Sequence, residues 1–419
     1  MSAPTGASRP TSRGPFRGIA YVLGVTAFGA GIPTPLYAVY EQRDHFSSAV
    51  LAGIFAAYSI GVLATMFLLA PLSDVIGRKP VLHLGMVLTA ASGVVFVFAS
   101  GVLTLALARV VSGLAVGATT STATASMTGL EPNGDQHHVA RVSVAANFGA
   151  VATGIFVSGL LVEYGPDPTQ LVYAVLIAAS VAGIAVVSRT PETVPSALRR
   201  VRVRFERPRI PASIRLPFWV AAGALAGCYS IYGFFASLAP SFLRNDLGLS
   251  NTAASATIVA VLFAAAATIQ IGLGQVRDRN ALLDGLPLLV LAIAGVVASV
   301  LTGSWPLLVV SAAVLGIGVG YAYMGSVTLI DRTSPPALRG EILSAFFVVG
   351  YLALAVPTIG IGLAADRIGL GTAAVVFGST LALFAAALYF VTRHTPTPPG
   401  GEGRPRPAPP GTPERRLEP

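Results

Sequence analysis

Twelve apolar runs of roughly 20 residues set the strongest limit on what this chain can fold into. They fall at about 17–38, 47–70, 81–100, 103–128, 141–162 and 170–188. After a polar interval they resume at 216–240, 253–274, 284–303, 305–329, 341–363 and 371–392. A helix rising about 1.5 Å per residue needs roughly 20 apolar residues to cross a hydrocarbon layer about 30 Å thick. Strands would be about half that length, and lipid tolerates no bare backbone N–H or C=O. The runs predict twelve transmembrane helices in an all-α membrane protein. Composition agrees, with 54% hydrophobic and 11% charged residues against about a quarter charged in soluble domains.

Orientation follows from the basic residues. With both termini cytoplasmic, the inner segments carry 23 of the 27 Lys and Arg, and the outer loops carry only Arg43, Arg244 and Arg367; Arg109 lies inside the fourth run. The positive-inside rule therefore places a multi-pass protein in the inner (plasma) membrane with both ends in the cytoplasm. The expected division is a disordered tail over 1–16, a six-helix bundle over 17–188 and a basic linker over 189–215. A second bundle covers 216–393, and a Pro-rich disordered tail covers 394–419. The linker sequence "RRVRVRFERPRI" is an orientation signal against an anionic leaflet or a partner site. Although the net charge is +9, the arginines lie scattered between apolar runs, which argues against nucleic acid. The single cysteine, Cys228, excludes an intramolecular disulfide.

The halves echo each other. "GLAVGA" from Gly113 matches "GIGVGY" from Gly316, and "GLLVE" from Gly159 matches "GLAAD" from Gly362, both 203 residues apart; Asp74 and Asp278 are 204 apart. Such spacing points to duplication of a six-helix unit. The short polar stretch "APLSDVIGRKPVL" (Ala70–Leu82) holds the only lysine and resembles the second-to-third-helix signature of the major facilitator superfamily. Leu72, Asp74, Gly77, Arg78 and Lys79 match it, while Ala70, Ser73 and Val75 depart from it. "LALARVVSGLAVGA" is similar to that superfamily's Leu-x-x-x-Arg-x-x-x-Gly pattern through Leu105, Arg109, Gly113 and Gly117. "GIPTPLY" is similar to the first helix of its twelve-helix drug/proton antiporters. "GAVATG" (Gly149–Gly154) departs from their Gly-Pro-x-x-Gly-Gly at Ala150 and Thr153.

The resemblance implies two pseudo-symmetric six-helix bundles that alternate access to a mid-bilayer cavity lined by helices 1, 4, 7 and 10. It also implies that Asp74 faces the start of helix 11, where a carboxylate favours the positive end of a helix dipole. Around it the expected conformational latch comprises Gly77, Arg78, Lys79 and Glu131, with Arg78 paired to Glu131. Asp278 and Arg279 in "GQVRDRN" form a worn second copy. The alternative is that these charges only fix topology.

None of the 18 acidic residues falls mid-span, and Arg109 is the one cation within a run. An intramembrane charge is a functional hypothesis by default. The expected proton-coupling site pairs Arg109 with Glu41 or Asp44; the alternative is that Arg109 snorkels outward. Ser112, Thr119 and Thr122 share one side of the fourth helix and, with Tyr229, Tyr232 and Tyr321, are the expected substrate cavity. For these the alternatives are back-bonding to helix carbonyls and plain packing. Aromatic walls with few charges favour lipophilic substrates.

The expected activity is proton-coupled efflux of small lipophilic, drug-like compounds by a functional monomer. Its partners are the substrate, protons and membrane lipid, and it uses no cofactor and no metal. Two alternatives stay open: a facilitator or importer without proton antiport, and a non-transporting sensor. No motif of an enzyme is present; "GIGVGY" fails the dinucleotide spacing.

Overall fold

Runs apolar at nearly every position have no alternative in lipid to an internally hydrogen-bonded helix. The computed structural model describes residues 13–68, 76–194, 210–272, 278–336 and 338–394. Twelve membrane-crossing helices lie among them. They are α1 (Gly14–Asp44), α2 (Ser48–Leu68), α3 (Arg78–Val97), α4 (Val102–Leu130), α5 (Gln136–Tyr164) and α6 (Leu171–Arg189). There follow α7 (Arg215–Ser237), α8 (Thr252–Gly272), α9 (Asp278–Thr302), α10 (Trp305–Thr333), α11 (Arg339–Ile368) and α12 (Leu370–His394). The tails, Asp74, most of the linker and the side chains of Asp278 and Arg279 lie outside the described residues. The start of α1 and the end of α12 share one face, called here the linker face because the 189–215 segment joins the halves on it; the opposite face is the far face.

Local chemistry explains where helices depart from simple runs. Pro33 has no N–H, so α1 breaks at Ile32 and restarts as Pro33–Asp44. The helix α5 begins five residues before its apolar run because Asp135 caps it, accepting from the N–H of His137 at 2.9 Å and of His138 at 3.0 Å. Inside α5, Ala145–Gly149 forms a π turn, a feature that often marks functional sites. Beyond Ser237, α7 continues as a short segment, Ala239–Asn245.

With no hydrophobic drive between helices in lipid, small residues decide where they approach. At the α2–α4 crossing a Cβ on Gly113 would collide with the Tyr58 carbonyl and sit 3.1 Å from the Cα of Gly61. The α8–α10 crossing repeats this, with Gly316 against the Leu262 carbonyl and 2.8 Å from the Ala265 Cβ. The sequence repeat is thus a packing repeat. The two six-helix bundles meet along α2–α11 and α5–α8.

Candidate functional site

At the far face the bundles are closed by two carboxylates in equivalent places. Asp366, at the end of α11, accepts from the backbone N–H of Ser48 at 2.9 Å and of Ala49 at 3.3 Å, capping α2 of the other half. Glu163, at the end of α5, accepts from the Thr252 N–H at 2.8 Å and from the Asn251 side chain at 3.3 Å, capping α8. The capping residues lie 203 apart, and each follows by four residues a glycine at the crossing. A Cβ on Gly362 would lie 2.7 Å from the Ser48 carbonyl and 2.8 Å from the Ala52 Cβ, and one on Gly159 would collide with Ala256. Each exposed contact with a helix N-terminus contributes about 0.3–1 kcal/mol. Five hydrogen bonds between the halves lie at this face.

Beneath that closure, aromatic rings from both halves converge. Tyr232 of α7 stacks on Phe263 of α8 at 4.6 Å between centroids and stands 5.9 Å from Phe148 of α5. Phe148 meets Tyr323 of α10 edge-on at 5.3 Å, and Tyr229 meets Tyr351 of α11 at 5.4 Å. Tyr58 of α2 lies within electrostatic reach of Tyr351 and Tyr229. Tyr229, Tyr323 and Tyr351 remain partly accessible. Such ring pairs contribute about 0.5–1.5 kcal/mol beyond area burial and offer faces for a flat ligand. A separate, narrow cleft lies inside the C-terminal bundle between α7, α9, α10 and α12. It is lined by hydrocarbon such as Phe234, Val296 and Phe377, and has nothing polar to orient a ligand.

The expected cavity residues divide. Tyr229 and Tyr232 are in the cluster. Tyr321 is not, because its Cβ packs toward Gly285 of α9 within the C-terminal half; Tyr323 takes the place expected of it. Thr119 is fully buried against Gly85 of α3 inside the N-terminal half, and its hydroxyl has no partner. Ser112 and Thr122 are buried on that same helix side. Sequence reasoning missed Tyr58, Phe148, Phe263, Tyr323 and Tyr351.

Arg109 is 2% exposed, which corrects the snorkelling alternative, and its expected carboxylate partners are elsewhere. Asp44 binds Arg43 through two contacts of 2.8 Å. Past the break at Ile32–Pro33, Glu41 runs toward the other half, among Ser241, Arg244, Asp246 and Asp366. What surrounds the guanidinium is the ring of Tyr58 at 4.6 Å, the ring of Phe55 at 5.1 Å and the Ala30 carbonyl, reached by one NH at a long 3.4 Å. Its Nε has no partner, nor has the buried hydroxyl of the neighbouring Tyr37. Burying an unpaired cation costs several kcal/mol even after relaxation. A desolvated cation–π contact returns about 2 kcal/mol. These contacts offset the burial only in part.

On the linker face the described end of the signature loop, from residue 76 on, is tied to its own half. Gly77 adopts φ +101°, a left-handed region that suits glycine, and a Cβ there would press 2.5 Å from a Glu192 oxygen. Glu192 caps α3, accepting from the N–H groups of Arg78 and Lys79 at 3.1 Å each. Lys79 Nζ donates to the Ser188 carbonyl at 2.6 Å, and the Arg78 guanidinium donates to the Ala125 carbonyl at 2.8 Å and to Thr193 at 3.2 Å. The expected Arg78–Glu131 pair is absent: Glu131 is buried and faces His138 at 3.9 Å. Arg78 instead donates to one carbonyl near the end of α4, that of Ala125. Burial works to raise the Glu192 pKa, but the N–H donors of Val194, Lys79, Arg78 and Thr193 outweigh it and hold the pKa below the ordinary 4.5.

The sequence profile of the Major Facilitator Superfamily matches residues 19–357. No curated protein matches the sequence. Among solved structures, the human organic anion transporter MFSD10 (TETRAN) superposes with a TM-score of 0.68 at 16% identity, covering 92% of this chain and 100% of that one. The nucleoside transporter NupG superposes with a TM-score of 0.67 at 14% identity, covering 91% and 99%. A point mutant of NupG gives 0.68 at 14% identity, covering 90% and 98%. These likenesses concern the fold.

Proposed function

The chain belongs to the major facilitator superfamily, and on that premise we propose that it is a proton-coupled exporter. It moves small lipophilic compounds with an aromatic body across the plasma membrane by alternating access. The observation that carries this reading is the ring cluster shared by both bundles beneath a closed far face. A ligand seated between Tyr232, Phe148 and Tyr351 touches α7, α5 and α11 together, so it senses how the bundles stand toward each other. A ligand that binds two states unequally shifts their ratio, which is what a carrier needs. The distribution of Lys and Arg supports a cytoplasmic linker face, so the caps on Glu163 and Asp366 close the outer side.

For the proton we propose Glu41. It sits where the outer ends of α1, α7 and α11 meet, beside Asp246 and Asp366. Loss of water on closure favours uptake of a proton by a carboxyl group, and opening to water favours its release. A second reading, uncoupled facilitation, has one observation in its favour: among the described residues no carboxylate lies at mid-membrane. Vesicles loaded with a fluorescent aromatic probe separate the two. The proposal expects flux to follow an imposed pH gradient and Glu41→Gln to uncouple it, whereas flux indifferent to the gradient establishes the facilitator.

A further inference from the structure

We infer that Arg109 is the binding site for the negative group of the transported compound, making the substrate an amphipathic organic anion. This rests on the ring cluster being the substrate site and adds the charge of what binds there. Three observations carry it. Arg109 is nearly sealed from solvent, yet among the described residues no carboxylate reaches it. Its Nε is an unpartnered donor, and its one hydrogen bond is the 3.4 Å contact to the Ala30 carbonyl. Tyr58 connects it to the rings: one face of Tyr58 covers the guanidinium at 4.6 Å, while the same residue is in electrostatic reach of Tyr351 and Tyr229.

A guanidinium presents a planar fork of donors matched to a carboxylate or sulfonate. Tyr58 and Phe55 supply only π faces to it. A carboxylate entering from the ring cluster displaces the Tyr58 face, accepts from Nε and neutralises the charge. The aromatic body then rests against Tyr229 and Tyr351. The buried hydroxyl of Tyr37, also unpartnered, supplies a further donor. A cationic drug meets repulsion at the same place, which sets the sign of selectivity.

The test uses purified full-length protein with three probes of one shape: naphthoate, naphthylmethanol and naphthylmethylammonium. Binding is measured at neutral pH with a protein-free detergent control. Naphthoate is expected to bind roughly 10- to 100-fold tighter than the alcohol, as a charge-assisted hydrogen bond supplies, and the ammonium weakest. Arg109→Gln lowers the acid-to-alcohol ratio toward one, and Arg109→Lys, which keeps the charge and loses the fork, gives an intermediate ratio. Equal binding of acid and alcohol by the unaltered protein overturns the inference and leaves the ring site standing. Binding of none of the three overturns the ring site, and the inference with it. Saturation by chloride alone, with no further gain from naphthoate, assigns Arg109 to a resident inorganic anion and overturns the organic substrate.

Discussion

Tyr232 touches two rings from different helices, Phe263 at 4.6 Å and Phe148 at 5.9 Å, and one of them belongs to the opposite bundle. Tyr232→Ala removes one ring face on which an aromatic probe stacks, at about 0.5–1.5 kcal/mol, so binding of an aromatic probe is expected to weaken roughly 2- to 13-fold. Titration calorimetry reads this directly, and unchanged affinity places the site elsewhere. Glu192 gives a second check at this scale. Its folded pKa is depressed, so the stability it contributes is present above the ordinary 4.5 and is lost as pH falls through the lower folded value. The gap in melting temperature between the native chain and Glu192→Gln should therefore be full at about pH 6 and shrink below about pH 4; a gap that widens in acid contradicts the assignment. Tyr229 and Tyr232 were legible because an aromatic pair on the seventh helix stands out from its aliphatic neighbours. Tyr323 was hidden by register: it follows Gly320 by three and Gly316 by seven, so it shares the side those glycines press on α8, whereas Tyr321 follows Gly318 onto α9. Phe148 was hidden by the π turn at Ala145–Gly149, whose extra residue rotates everything after it out of the 3.6-residue pattern.

At the scale of whole helices, closure rests on two carboxylates each capping a helix of the other bundle. Glu163→Gln with Asp366→Asn keeps shape and removes charge. At about 0.3–1 kcal/mol per cap, the double variant should shift the population toward outer-open by roughly threefold to thirtyfold. Accessibility of a cysteine introduced between α2 and α11 measures it, and unaltered accessibility removes the caps from the account. The 203-residue repeat made Gly159, Gly362 and the acid following each visible in the sequence, but not their role. A cap between chain-distant helices needs the knowledge that α5 faces α8 and α11 faces α2. The Arg109–Glu41 expectation failed for a related reason. A helix drawn straight through "GIPTPLY" keeps Glu41 above α4, but the break at Pro33 sends it toward α7.

For the molecule as a whole, hydropathy alone fixed twelve crossings, and the glycine repeat announced two equivalent bundles before any packing was known. What hydropathy could not reach is everything decided by contacts between helices: the ring cluster, the outer caps and, within the N-terminal bundle, the uncompensated Arg109. All depend on contacts far apart in sequence, and in lipid such contacts leave no amphipathic pattern to read. The central claim is that the bundles rock about the ring cluster, so that one face opens as the other shuts. Paired spin labels test it most directly in a Cys228→Ala background. One pair sits at Asp167 and Thr302 on the far face, the other at Gln136 and Pro336 on the linker face. The account predicts that the far-face distance lengthens as the linker-face distance shortens, with acidity and bound aromatic probe moving both in opposite senses. Distances that change together, or that stay fixed at both faces under every condition, would contradict it.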